Sequence, residues 1–368
     1  MAETTATSSV QQWSERVHKE WTRNERFAPY SGTKISSVFQ NKTELSSKPG
    51  TIINVPLVTR LSNSGVTGDN TLRGNEEALG NYNHALNVDQ YRNAVRVGNF
   101  EQQKSQIDFL KEAEPMLTSW GMEHVRDLKI AALLSPNLDG VTAYASCTEA
   151  QKDLWTDGQY TSATNARVLF GAAIGNIAQT SPAGGATNDH SASLLTVDST
   201  TDTLDTGMVS LAKRMAQTAD RHIRPIQLKN PNREIYVMFV PSRAFRDLAA
   251  DATMTAANRD ARQRGLDHPV FEGGNLLWDG VLIVEIPEIA TLSNVGDSST
   301  TDVDPCFLCG AQAVGVGWAE KTHAIREKQD YDNLEGHGIA FTYGVEKLMH
   351  NSQQNGTVTV YASGVADS

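Results

Sequence analysis

Two cysteines three positions apart, Cys306-Phe307-Leu308-Cys309, form the pattern that most suggests chemistry in this 368-residue chain. Such a pair supplies half of a tetrahedral zinc site, or the reactive end of a redox motif. A zinc site needs a second pair of ligands. The sequence holds no other C-x-x-C and no H-x3–5-H, and Cys147 stands 159 residues upstream. A redox pair opens a helix, whereas this one sits inside an apolar run, so two buried free thiols on a strand is the reading. The acidic stretch Asp330-Tyr331-Asp332-Asn333-Leu334-Glu335-Gly336-His337 has the oxygen donors of a cation loop but not their spacing. A calcium loop wants Gly sixth and Glu twelfth; here Gly336 is seventh and Phe341 twelfth. It reads as a solvated turn, as do Asp302 and Asp304. His124 and Asp127 share a helical face at i, i+3, a pairing that caps or bridges. The chain has no G-x-S-x-G, phosphate-binding loop or H-E-x-x-H. The expectation is no catalytic residue, no metal ligand and no cofactor.

Composition narrows the class. The chain carries 32 basic and 43 acidic residues, a net charge of −11, which argues against a free-standing nucleic-acid binder with its basic face. With 39% hydrophobic residues a buried core can form. Three cysteines are too few and odd in number for a disulfide framework and predict a reducing compartment. No apolar run reaches the length of a membrane span, and the start lacks the apolar core of a signal peptide; a soluble, cytosolic, globular protein with no membrane contact is expected. Charge is uneven along the chain. Residues 206–268 carry 11 basic against 6 acidic, and residues 269–368 carry 4 against 14. These are either solvated faces or complementary patches between copies.

The elements come next. Val10, Trp13, Val17 and Trp21 fall on one helical face, and a terminal helix must dock these rings on its own domain or on a neighbour. TIINVPLVTR (51–60) and the stretch 84–98 read as long strands joined by a Gly/Asn-rich tip, with a change of face near Arg92–Ala94. Such a hairpin has little core of its own, so it reads as an arm laid on something else. From Phe100 to Leu134 the period is helical, interrupted only by Pro115; unbroken, it would span about 52 Å. A polar loop (178–203) precedes a helix from Leu204 to about His222. IYVMFV (235–240) is a buried strand, and Pro241-Ser242 opens a helix running to about Arg264. Strands follow at 280–286, from Pro305 through CFLCGAQAVGVGWAEK, and in GIAFTYGVEKLMHN and GTVTVYA. The class is α+β.

The order of these parts resembles the major capsid protein of tailed bacteriophages, the HK97 fold. Val55-Pro-Leu-Val-Thr-Arg-Leu61, the tip from Gly65 to Gly80 and Val88-Asp-Gln-Tyr-Arg-Asn-Ala-Val-Arg96 are similar to the branch typified by the phage N4 coat protein, as is Tyr343-Gly-Val-Glu-Lys347. The resemblance implies an N-terminal arm over 1–50 and an E-loop hairpin over 51–99. A spine helix with P domain covers 100–165, a mainly A-domain region with polar loops covers 166–310, and C-terminal strands over 311–368 return to the P domain. It implies a non-enzymatic shell protein of the virion, assembled in the bacterial cytoplasm as hexamers and pentamers around double-stranded DNA held without sequence-specific contacts. Partners would be a scaffolding protein and a portal, with room for a decoration protein. Only about 50 residues precede the hairpin, too few for a built-in scaffolding domain, so the scaffold is expected as a separate chain. Some relatives join subunits by a Lys–Asn isopeptide bond from the E-loop; no Lys lies between Lys48 and Lys104, so no such bond is expected.

Candidate interface residues are Trp13 and Trp21 in the arm and Arg73, Glu76, Glu77, Arg92 and Arg96 on the hairpin, the charges being either ion pairs between subunits or solvated groups worth little singly. Two other readings remain: a nanocompartment shell of the same fold carrying protein cargo, and a soluble metal-dependent hydrolase using the acidic C-terminal region.

Overall fold

A computed structural model describes residues 26–46, 50–61, 63–105, 108–136, 142–159, 167–176, 189–219, 221–227, 234–262, 275–350 and 353–366. The first half runs β1 (Ser31–Gly32), β2 (Phe39–Lys42), β3 (Ile52–Val58), β4 (Asn81–Asn87), β5 (Asp89–Gly98), α1 (Asn99–Lys104), α2 (Phe109–Leu134), α3 (Glu149–Gln159), β6 (Val168–Phe170) and α4 (His190–Leu194). Then come α5 (Thr206–Thr218), β7 (Ile226–Gln227), β8 (Glu234–Val240), α6 (Ser242–Ala250), α7 (Ala252–Arg262), β9 (Leu276–Trp278) and β10 (Val281–Glu285). The chain closes with β11 (Val303–Cys309), β12 (Val314–Gln329), β13 (Leu334–Lys347), β14 (Met349–His350), β15 (Gln353–Gln354) and β16 (Thr357–Ser363). Two compact units share these elements. The smaller includes residues 90–126 and 320–342, and the larger 26–89, 127–319 and 343–368.

The larger unit is built on a seven-stranded sheet in the order β6-β16-β11-β8-β10-β9, with β7 paired to β8. The β8–β10 and β6–β16 pairs are parallel, while β11 runs antiparallel to both β8 and β16. Successive side chains on a strand face opposite ways. From β8, Tyr236, Met238 and Val240 meet Met208, Val209, Ala212 and Met215 of α5 and Leu248 of α6. Phe239 turns the other way, its ring 4.9 Å from Phe27 and 5.6 Å from Tyr30. Both faces being covered, β8 reads as a continuous apolar run rather than an alternating one. Asp205 caps α5 by accepting from the Met208 N–H at 2.7 Å. Asp189 does the same for α4, accepting from Ala192 N at 2.9 Å.

The structure departs from the sequence expectations in four places. The long helix is two, separated at Ser105–Asp108. α1 ends as Ser105 N donates to Glu101 O at 3.2 Å, and α2 restarts with Asp108 accepting from Lys111 N at 3.1 Å. α2 keeps Pro115 within it and spans 26 residues, about 39 Å. The helix from Pro241 breaks at Asp251, whose extended backbone separates α6 from α7 while its carboxylate accepts from Thr206 Oγ1 at 2.8 Å. The run from Pro305 is two strands with a turn between them, Gln312 taking φ 58°. Finally, the stretch 84–98 is not one hairpin arm: β4 pairs with β3, and β5 joins another sheet.

In the smaller unit β5 and the outer parts of β12 and β13 lie in the order β12-β13-β5. The first half of α2 packs on them at Gly121, where a Cβ would stand 3.1 Å from Ile339. His124 fills the same contact, stacked on Trp120 at 5.4 Å and edge-on to Tyr91 at 4.5 Å.

Candidate assembly surfaces

The β3–β4 hairpin is anchored at its base and open along its length. Its register runs from Ile52↔Asn87 to Val58↔Asn81, and Pro56 is tolerated because a two-stranded ribbon is all edge. At the base Ile53, Leu86 and Val88 are buried together. They reach the β12 backbone because position 317 is glycine; a Cβ there would come within 3.0 Å of all three. β13 approaches equally closely at Gly344, whose added Cβ would overlap Asn87 O. Glu346 completes the anchor: its Oε1 accepts from Asn87 N at 2.8 Å and Asn87 Nδ2 at 3.1 Å, and its Oε2 lies 3.2 Å from His84 Nε2. Beside it Lys347 is fully buried and donates to Ser135 O at 3.1 Å; burial holds its amine down to about 7.

Beyond the base the hairpin has no core. Val58, Leu61, Leu72 and Leu79 are each more than half exposed. The tip is shaped by its own polar bonds: Glu76 accepts from Gly74 N at 2.6 Å, and Glu77 from Asn63 N at 2.8 Å. Arg73, on the same tip, is exposed. Tips of this kind leave apolar area that a neighbour can cover.

The smaller unit carries a second open surface. Arg92 and Arg96 of β5 are exposed and line a cavity of about 550 Å³, with Val95, Ile325, Glu327 and Leu334 around them. The turn joining β12 to β13 stands next to it. Asp330, Tyr331 and Asp332 all take left-handed backbone, at φ 51°, 51° and 69°, a conformation costing roughly 1–2 kcal/mol for a residue with a bulky side chain. Asn99 holds the turn, its Nδ2 donating to Asp332 O at 2.5 Å and its N–H to Asn333 O at 2.9 Å. The Tyr331 side chain is fully exposed. Nearby, Glu114 of α2 takes Arg326 of β12 at 2.5 Å.

Cys306 and Cys309, three apart on β11, point to opposite faces and cannot grip one metal; burial pushes the Cys306 thiol up and that of Cys309 to about 12. Among the described residues no three His, Cys, Asp or Glu side chains gather as a metal site, and no helix is long and apolar enough to cross a membrane.

A family model described as phage capsid protein matches residues 3–365, nearly the whole chain. The chain belongs to that phage capsid protein family. It is 26% identical over 365 residues to the major capsid protein of Pseudomonas phage KPP25, covering 91% of this chain and 89% of that protein. Among solved structures it is similar to the cyanophage Pam1 capsid asymmetric unit, with a TM-score of 0.87, 30% identity and 99% of both chains covered. It shares its fold with the capsid of Ralstonia phage GP4 at a TM-score of 0.73, 18% identity and full coverage of both. This is a phage major capsid protein, HK97-like in fold and structural in role, and a component of the virion.

Within the capsid protein the sequence-selected residues fall into three places. Arg73, Glu76 and Glu77 lie together on the hairpin tip, Arg92 and Arg96 lie on β5 of the smaller unit, and Trp13 and Trp21 lie outside the described residues. Sequence reasoning missed Tyr331, Glu346 and Lys347 as structural actors. The exposed aromatic inside the acidic stretch was the available signal for the first. Glu346 lies in the Tyr343–Lys347 likeness, but nothing local pointed to its partners, which are about 260 positions away.

Proposed function

We propose that copies of this capsid protein associate as hexamers and pentamers that close an icosahedral head around double-stranded DNA, built in the host bacterial cytoplasm on a separate scaffolding protein and completed by a portal. The observation that carries this reading is the likeness to a solved capsid subunit over 99% of both chains. The open surfaces support it: a thin wall gains contact area when slender arms overlap neighbours, and many modest contacts sum to a stable closed particle. The net charge of −11 suits a wall that confines DNA without gripping it. In this reading residues 1–50 are the N-terminal arm, 51–99 the E-loop region, whose last strand β5 belongs to the smaller unit's sheet rather than to the hairpin, 100–165 spine and P domain, and 166–310 mainly A domain, with 311–368 returning to the P domain. Trp13, Trp21, Arg73, Glu76, Glu77, Arg92 and Arg96 make contacts between subunits.

The test is electron microscopy of the purified chain with and without its scaffolding protein. Capsomers or tubes alone, and uniform shells with the scaffold, are expected; a chain that stays monomeric under both conditions overturns the reading. With no Lys between Lys48 and Lys104, particles boiled in detergent should release monomer, and a ladder of covalent oligomers would contradict that.

A further inference from the structure

We propose that the Arg92/Arg96 groove receives the Asp330–Asn333 turn of a second copy of this chain. The proposal rests on the capsid reading and names one contact within it.

The groove asks for an occupant that is both anionic and apolar. Neither arginine makes an ion pair or hydrogen bond among the described residues, and Val95, Ile325 and Leu334 sit beside them. Glu327 also lines the groove, its Oε1 accepting from Gln329 Nε2 at 3.0 Å, so the positive charge is reduced but not cancelled. The turn answers both needs. Asp330 and Asp332 flank Tyr331, whose ring is fully exposed and open to a guanidinium face. Lys328 lies 3.8 Å from Asp332 and offsets part of that charge, leaving Asp330 without an ion pair among the described residues. The turn is also held ready: three successive left-handed residues, a conformation foreign to tyrosine, are kept in place by the Asn99 bonds. An aromatic side chain projected from a fixed backbone loses little freedom on docking.

The hairpin tip is the competing occupant, and it fits less well. Both its glutamates already accept backbone N–H groups, and the exposed Arg73 close to them in sequence carries the same charge as the groove's own arginines. Placement also favours the turn. Gln329 and Leu334, which bracket it, line the groove as well, so donor and acceptor surfaces lie at one end of the unit. Copies related by rotation can then close a ring in which each turn enters the next groove, a heterologous contact.

The experiment uses the full chain with its scaffolding protein and compares R92E/R96E, D330K/D332K and the four-fold combination. Shell yield is read by sedimentation and microscopy, and folding by thermal melts. Each pair reversal should lower shell yield about tenfold or more with an unchanged melt, and the combination should recover most of it, as complementary charges do. Tyr331→Ala should lower yield by a smaller factor. Wild-type yields from both reversals overturn the contact, as does rescue of R92E/R96E by E76R/E77R in place of D330K/D332K. In either of those outcomes wild-type shells leave the capsid reading standing; a wild type that never assembles sinks both.

Discussion

β16 and β5 are both regular strands of one chain, and they could hardly be treated more differently by their surroundings. All seven residues of β16 are buried, between β6 and β11 in the sheet and between helices and aromatic rings on its faces. Of the ten residues in β5 only Val97 is buried. The first strand is finished by its own fold, while the second and the outer β3–β4 hairpin present backbone edges and side chains to solvent. Apolar burial contributes roughly 25 cal/mol per Å², so the energy that folds this chain is concentrated in the larger unit's sheet. Substitutions there should act on folding, whereas substitutions on the open surfaces should act on assembly.

The largest effect belongs at Phe239, fully buried among Phe27, Tyr30 and Phe39. Phe239→Ala should cost about 3–5 kcal/mol in equilibrium urea unfolding, a large share of the roughly 5–15 kcal/mol that folded domains have. A cost below about 1 kcal/mol would show that the sheet is not where stability resides.

The next effect is pH-dependent and also belongs to the finished region. His190 is buried among Tyr144, Trp155, Phe170 and Tyr361. Burial, aided by Lys152 and opposed by Glu149, holds its pKa down to about 3. The unfolded chain therefore binds the proton first as pH falls below about 6.5, and stability declines from there down to about pH 3. At pH 4 the loss should be on the order of 3 kcal/mol relative to neutral pH. His190→Phe should flatten that part of the acid profile in thermal melts; an unchanged slope would assign the acid sensitivity elsewhere.

The finished region was also the more legible one. IYVMFV announces β8, because burial on both faces replaces alternation with a continuous apolar run, and the α5 stripe is plain from its spacing. The breaks at Ser105–Asp108 and Asp251 were not legible. Each rests on a carboxylate accepting a hydrogen bond, Asp108 from the nearby Lys111 N–H and Asp251 from the Thr206 hydroxyl 45 positions away, and the sequence offers many acidic residues for such work. The hairpin could be read from its Gly/Asn tip and thin core, but not where it stops: β4 and β5 are separated only by Val88, with no turn signal between them. The groove was least legible of all, since β5 and β12 bring together residues more than 200 positions apart. Charge marked Arg92 and Arg96 as candidates for contacts between subunits and could not show what faces them.

The smallest effect on folding should come from the hairpin tip, and it sharpens the contrast most. Leu72 and Leu79 are 60% and 64% exposed, so replacing both with Ser removes little buried area within the chain. Surface changes of this kind fall within about 0.5 kcal/mol, and the melt of the unassembled chain should not move beyond that. Assembly should respond differently, because apolar side chains that a neighbour covers each contribute roughly 1–3 kcal/mol of transfer free energy and the loss recurs at every copy in the shell. The expected result is a raised critical concentration for shell formation with an unaltered melt. An altered melt would mean that the tip already packs on its own chain, and the division between a finished body and open arms would fail at the place where it is most exposed.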